Sequence, residues 1–159
     1  MSLEENKALV RRSLEQEVTH GAEAALAAFD ELRAPDFVAH FSTDRSQTRD
    51  EYRAALARMK RAFTEERLTI HHLVAEGDLV VARFTADITH AGEFFGAPPT
   101  GKRVRYAATV VYRLAGGRIA ETWGQTNALD FLRQLGVLPD DLLRERGVPV
   151  PPSAPPAGR

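Results

Sequence analysis

The chain has 159 residues, 43% hydrophobic and 27% charged, enough apolar material for one domain core and too little for two. Its 21 basic and 22 acidic side chains leave a formal net charge of -1, without the long-range field of a protein that gathers nucleic acid or anionic lipid. With no cysteine, disulfide frameworks, thiolate nucleophiles, iron–sulfur clusters and cysteine-based zinc sites are excluded.

Met1-Ser2-Leu3-Glu4-Glu5 lacks the basic, apolar and small-residue succession of a signal peptide, and no apolar run approaches the roughly 20 residues of a membrane span. A soluble cytoplasmic protein with no membrane or nucleic-acid partner is expected. Ser2 and Glu5 have capping-box spacing, and Leu3, Val10, Leu14 and Val18 recur at helical intervals up to Gly21, which predicts a first helix. Ala22 to Leu32 predicts a short second helix that Pro35 prevents from continuing. Asp36 to Phe41 reads as a brief strand. Thr48 and Glu51 repeat the capping-box spacing, and Tyr52, Ala55, Leu56, Met59 and Phe63 form the apolar stripe of a third helix.

After about residue 67 the period changes from 3.6 to 2, and turn signals divide the rest of the domain into four strands. These are Leu68 to Ala75, Leu79 to His90, Lys102 to Leu114 and Arg118 to Asn127, with a Gly- and Pro-rich loop over 91–101 and Gly116-Gly117 as the last turn. A final helix, Leu129 to Leu135, stops at Gly136. Residues 1–138 therefore read as one α+β domain whose helices cover one face of a curved antiparallel sheet. Residues 139–159 read as a short helical turn and a proline-rich disordered tail.

The sequence contains no Gly-x-Gly-x-x-Gly after a strand, no phosphate-binding Gly-x-x-x-x-Gly-Lys-Ser/Thr and no Gly-x-Ser-x-Gly. The histidines, His20, His40, His71, His72 and His90, form no His-x-x-x-His pair, and His71 and His72 are expected on opposite faces of one strand, so no metal site is expected. In Leu79 to His90 one parity, Val80, Ala82, Phe84, Ala86 and Ile88, is a core face. The other, Val81, Arg83, Thr85, Asp87 and Thr89, is either a solvated face or the lining of a pocket. In the last strand Ala120, Thr122, Gly124 and Thr126 are too small to build much core. Trp123 is therefore expected to face inward with Gln125 and Asn127, whose amides need structural partners or a ligand. His40 and His90 are surface groups or, facing a cavity, proton carriers.

These residues resemble the SnoaL-like polyketide cyclase family over roughly positions 5 to 136. Asn6-Lys7-Ala8-Leu9-Val10-Arg11-Arg12 is similar to its opening, Pro35-Asp36-Phe37-Val38-Ala39-His40 to its Pro-Asp-Phe-x-x-His segment, and Ala75-Glu76-Gly77-Asp78 with Arg83-Phe84-Thr85 to its first hairpin. The stretch from Thr89-His90-Ala91-Gly92 through Pro98-Pro99-Thr100-Gly101 resembles its Thr-His-x-Gly-x-Phe-x-Gly-x-Pro-Pro-Thr-Gly loop, and Gly117 to Trp123 with Phe131 to Gly136 completes the match.

The resemblance implies a cone-shaped α+β fold shared with ketosteroid isomerase and nuclear transport factor 2, a homodimer, and a pocket without cofactor or metal where aromatic polyketide intermediates close a ring by aldol chemistry. The family's base is an aspartate four residues after the last-strand tryptophan; here that position is Asn127, an amide without useful basicity. By position Asp87 is similar to an acidic residue of the related epoxide hydrolases and is expected as the acid/base, with Asn127 and Gln125 holding a water or an oxyanion. His90 is a further proton carrier. Trp123, His40, Arg83, Met59, Phe63 and Tyr52 are expected to bind a hydrophobic small molecule. Hydroxylation or epoxide opening by an activated water is the alternative reaction, and a non-catalytic small-molecule-binding protein the third reading.

Overall fold

The computed structural model describes residues 2–138; the expected extra helical turn and proline-rich tail lie outside the described residues. Both capping boxes form. α1 (Leu3–Thr19) begins where the Ser2 hydroxyl accepts from the Glu5 amide at 3.2 Å and Glu5 accepts from the Ser2 amide at 2.6 Å, and α3 (Arg49–Ala62) begins in the same way at Thr48 and Glu51. α2 (Ala22–Leu32) lies between them. The last turn of α1 has no basic residue, and Lys60 of α3 supplies the missing donor, its Nζ bonding the Val18 carbonyl at 3.1 Å and the His20 carbonyl at 2.9 Å.

The strands β1 (Arg33–His40), β2 (Ser46–Thr48), β3 (Phe63–Glu76), β4 (Leu79–His90), β5 (Arg103–Ala115) and β6 (Arg118–Thr126) form one curved, unclosed sheet in the order β2-β1-β6-β5-β4-β3. The α+β cone read from the sequence is the fold observed. The sheet is mixed where an antiparallel one was expected, because β1, the segment read only as a brief strand, lies parallel beside β6. Pro35 sits within β1, in the register break between Arg33 and Val38, where its missing N–H removes no ladder bond. The helix stripe also ends earlier than expected. The Phe63 amide caps α3 on the Met59 carbonyl, and its side chain belongs to β3.

α1 packs on β3 and β4, and α3 on β1 to β3, so the helices cover the inner face of the sheet. Val80, Ala82, Phe84, Ala86 and Ile88 of β4 are buried there, as expected. α4 (Ala128–Leu135) follows β6, contributes Leu135 and Phe131 to the second of two core clusters, and ends at Gly136 in the left-handed conformation (φ 79°). No helix among the described residues is long and apolar enough to cross a membrane.

β3 carries two one-residue bulges against β4. Three steps from Thr64 to Arg67 face two from Thr89 to Asp87, and two steps from Ile70 to His72 face one from Phe84 to Arg83. The inward set on β3 is thereby Phe63, Glu66, Leu68, Ile70, Leu73 and Ala75, which no single parity connects. His71 and His72 both emerge exposed rather than on opposite faces, because the second bulge lies between them and their neighbours.

Candidate active site

The polar parity of β4 and the tryptophan parity of β6 face away from the helices. Asp87 lies opposite Arg105, which grips it with two bonds of 2.8 and 3.0 Å and holds its carboxyl below the usual carboxylate range. Trp123 is 38% exposed and lies opposite Val111 on β5, six residues along from Arg105 and therefore about 20 Å from it at ~3.3 Å per residue. The expectation that Asp87 and Trp123 share an interior is corrected. Arg83 and Gln125 are exposed on the same outer face. His40 is there too, stacked on Trp123 at 5.0 Å and bonded through Nε2 to Glu121 at 3.0 Å, while Arg113 grips the other oxygen of Glu121.

Asn127 is a structural link. Its Oδ1 accepts from the Ala107 amide at 2.8 Å and its Nδ2 donates to Asp130 at 3.3 Å, tying β5 to the start of α4. His90 does point inward but is fully buried, its Nδ1 3.0 Å from the Thr100 hydroxyl and its ring against Phe63. Phe63 is itself sealed at 2% exposure between His90, Phe94 and Phe131, so it is core and not the wall of an open site. Tyr52 and Met59 lie on the inner side, half-buried.

The small residues of β6 explain the reversal. Ala120 and Thr122 are buried against the inner side, and Gly124, beyond them, leaves room there. A Cβ built on Gly124 meets only a Val110 methyl, at 3.8 Å. Tyr52, Leu56 and Met59 of α3, Glu66, Leu68 and Ile70 of β3, Tyr106 and Val110 of β5, and Phe131 of α4 also point inward yet keep part of their surface accessible. Together they give the inner face a mostly apolar, partly accessible surface with a few polar groups, and this is the candidate binding cleft.

Those polar groups are three phenols and a carboxylate. Tyr106 and Tyr112, alternating with Ala108 and Val110 on the inner face of β5, have no hydrogen-bond partner among the described residues, and Tyr52 has only the Arg33 guanidinium beside it. Burial raises all three phenols above their ordinary value, with the Glu66 charge adding to the effect at Tyr106 and the Glu17 charge at Tyr52 and Tyr112, so they stay O–H donors. Arg33, 2% exposed, is held by Ser13 at 3.0 Å and by both oxygens of Glu17, with Phe29 and Phe37 against its guanidinium. Glu66 accepts from Lys60 at 2.6 Å, and burial raises its carboxyl despite that cation. Sequence reasoning missed Tyr106, Tyr112, Arg33, Glu17 and Glu66; the alternation of β5 carried the signal for the two tyrosines.

The sequence matches the model of the SnoaL-like polyketide cyclase family over residues 9–135. The chain belongs to the SnoaL-like polyketide cyclase family. AclR from Streptomyces galilaeus, a proposed hydroxylase, is 30% identical with a TM-score of 0.77 over 87% of this chain and 100% of that one. IdmH from Streptomyces antibioticus, a proposed polyketide cyclase, is 28% identical with a TM-score of 0.69 over 82% of this chain and 98% of that one. A SnoaL-like protein from Jannaschia sp. CCS1, 22% identical with a TM-score of 0.75 over 86% of this chain and 94% of that one, shares the fold. No curated protein matches the sequence.

In this SnoaL-like chain the 89–101 loop is architectural. The amides of Ala91 and Gly92 both donate to the Ala62 carbonyl at 2.9 Å, and a Cβ on Gly92 would lie 2.3 Å from the Arg61 carbonyl oxygen. Glycine is required there by close approach. The loop thus clamps the corner where α3 turns into β3, four residues before Glu66.

Proposed function

We propose that this SnoaL-like protein takes a flat aromatic or polycyclic polyketide-like intermediate into the inner cleft and closes a ring on it by cofactor-free aldol chemistry. The observation that carries this reading is the set of phenols on the apolar inner side, half-buried Tyr52 and Tyr106 and buried Tyr112, with no hydrogen-bond partner for the last two among the described residues. In an aldol closure a proton leaves the carbon beside one carbonyl, the enolate carbon bonds to a second carbonyl carbon, and the new alkoxide is protonated. Negative charge moves from one oxygen to another. Preformed O–H donors in a site of low dielectric stabilise that charge without reorganising. Tyr52, Met59 and Phe131 supply flat or pliant walls for rings.

A second reading, oxygenation or water addition, is favoured by the 30% identity to the proposed hydroxylase AclR over that protein's full length and by Asn127 at the position of the family's basic aspartate. Product analysis in oxygen-labelled water and under labelled dioxygen separates the reactions. Ring closure incorporates neither label, water addition takes the first and oxygenation by dioxygen the second. The cleft itself is tested by titrating an anthraquinone ester and following side-chain signals by NMR. Shifts at Tyr52, Tyr106 and Tyr112 are expected; shifts confined to Trp123 and His40 would move the binding site to the outer sheet face and end this reading. The same outer face is the surface through which we infer that two copies pair.

A further inference from the structure

Ring closure needs a proton acceptor, and the carboxylates of this chain can be sorted by what already holds them. Asp87 is gripped by Arg105 on the outer face, and Glu121 by Arg113 and His40. Both oxygens of Glu17 are bound, to Arg33 and Ser13. Asp130 accepts from Arg133, Gln134 and Asn127. Glu66 differs. Its Oε2 takes the Lys60 ammonium at 2.6 Å, and its Oε1 accepts from no described residue. It faces the cleft beside Tyr106, whose phenol feels its charge.

The backbone that aims it is strained. Glu65 adopts φ 52°, in the left-handed region that non-glycine residues avoid, at the bulge between Thr64 and Arg67. Without the extra residue the inward parity from Phe63 would carry Glu65 and Arg67 to the inner face and turn Glu66 out. A non-glycine residue in that conformation is disfavoured and persists where the surroundings impose it. The contacts around it are the Thr89 hydroxyl donating to the Glu65 carboxylate at 3.0 Å, the Lys60–Glu66 pair, and the Ala62 carbonyl clamped by the 91–92 amides.

Resting on the proposed ring-closing reading, we propose that Glu66 is the catalytic base of the inner cleft and that the Glu65 bulge exists to present it. The ionised carboxylate takes the proton from the carbon beside the substrate carbonyl. The C–H electron pair becomes the enolate, whose oxygen is held by a phenol, and its carbon bonds to the second carbonyl. The alkoxide so formed recovers the proton from Glu66, so that no oxidant, reductant or co-reactant is consumed. The titratable groups that meet Glu66 are Lys60 from α3 and Tyr106 from β5; α1 brings backbone carbonyls to the same ammonium. A half-buried carboxyl raised by desolvation and paired with one cation is a stronger base than an exposed one.

The test uses the whole chain and 2-tetralone, a flat bicyclic ketone, as the probe. Exchange of its C1 protons for deuterium is followed by NMR, and its binding by saturation transfer. The native protein is expected to accelerate exchange, Glu66→Gln to lose roughly 100-fold or more of that rate, and Glu66→Asp to recover part of it. Lys60→Met is expected to move the acidic limb of the pH profile upward, because the cation that lowers the Glu66 carboxyl is gone. Exchange by Glu66→Gln at the native rate with the native acidic limb would overturn the assignment, as would a native protein that binds the probe without exchanging it. In both cases the cleft remains the binding site. Failure of the probe to bind the native protein removes the binding reading and, with it, the base.

Discussion

Glu17 and Glu66 are both carboxylates of the interior, and their partners give them opposite behaviour. Glu17 is locked to a guanidinium that is 2% exposed, so its loss leaves a buried cation unpaired. Glu17→Ala is expected to lower stability by about 3–5 kcal/mol in denaturant unfolding, the range for breaking a buried pair from one side. A loss below about 1 kcal/mol would mean that the guanidinium escapes to water. Glu66 has a carboxyl raised in the folded state, so folding favours its protonated form. Its contribution is fully present below the unfolded value and is lost as pH rises through the folded one. Glu66→Gln, which removes the ionisation and keeps an acceptor for Lys60, is therefore expected to gain melting temperature relative to the native protein as pH rises through that window. A constant difference across pH would contradict the direction of the shift. Neither residue is legible from the sequence. Glu17 is one acid among several on a helix whose partner, Arg33, comes from the end of another element, and Glu66 lies in Thr64-Glu65-Glu66-Arg67, which reads as a solvated run.

Local chemistry announces itself best at the level of the element. Ser2 with Glu5 and Thr48 with Glu51 set both helix starts because a capping box involves only residues three apart. The core parity of β4 is equally plain, since five apolar side chains alternate without interruption. β3 hides its inner face because two bulges change parity along one strand, and nothing in the sequence marks Glu65 for a left-handed conformation. β6 misleads for a different reason. Small inward residues suggest a face unable to build a core, whereas around Gly124 they make room. Gly124→Ala should therefore be nearly neutral, and Gly124→Phe should fill the cleft. The expected result for the phenylalanine variant is a melting temperature within a few degrees of native with at least a tenfold loss of 2-tetralone or anthraquinone binding. Undiminished binding would show that the ligand lies elsewhere.

The helices lie on one side of the sheet, and no described helix covers the other. That open face carries Val81, Val111 and a Trp123 that is 38% exposed, between the Asp87–Arg105 pair toward one end and the His40–Glu121–Arg113 cluster toward the other. Both signs of charge on one surface suit a two-fold pairing in which each end meets the opposite end of its copy. Five strands spaced about 4.8 Å apart, each roughly ten residues long at ~3.3 Å per residue, offer about 800 Å² per copy, the scale of a stable interface. In the pairing proposed above, the polar parity that the sequence offered as a solvated face or a pocket lining meets a second copy. Trp123→Arg would set like charges against each other across the two-fold. It is expected to turn a dimer into a monomer in sedimentation velocity at micromolar concentration, and to leave the inner cleft's binding of 2-tetralone unchanged. A native protein that sediments as a monomer, or a Trp123→Arg variant that stays dimeric, would show that this face does not join the copies. Loss of probe binding on dissociation would instead show that the interface holds the cone in shape, coupling the outer face to the cleft through β5, which contributes residues to both.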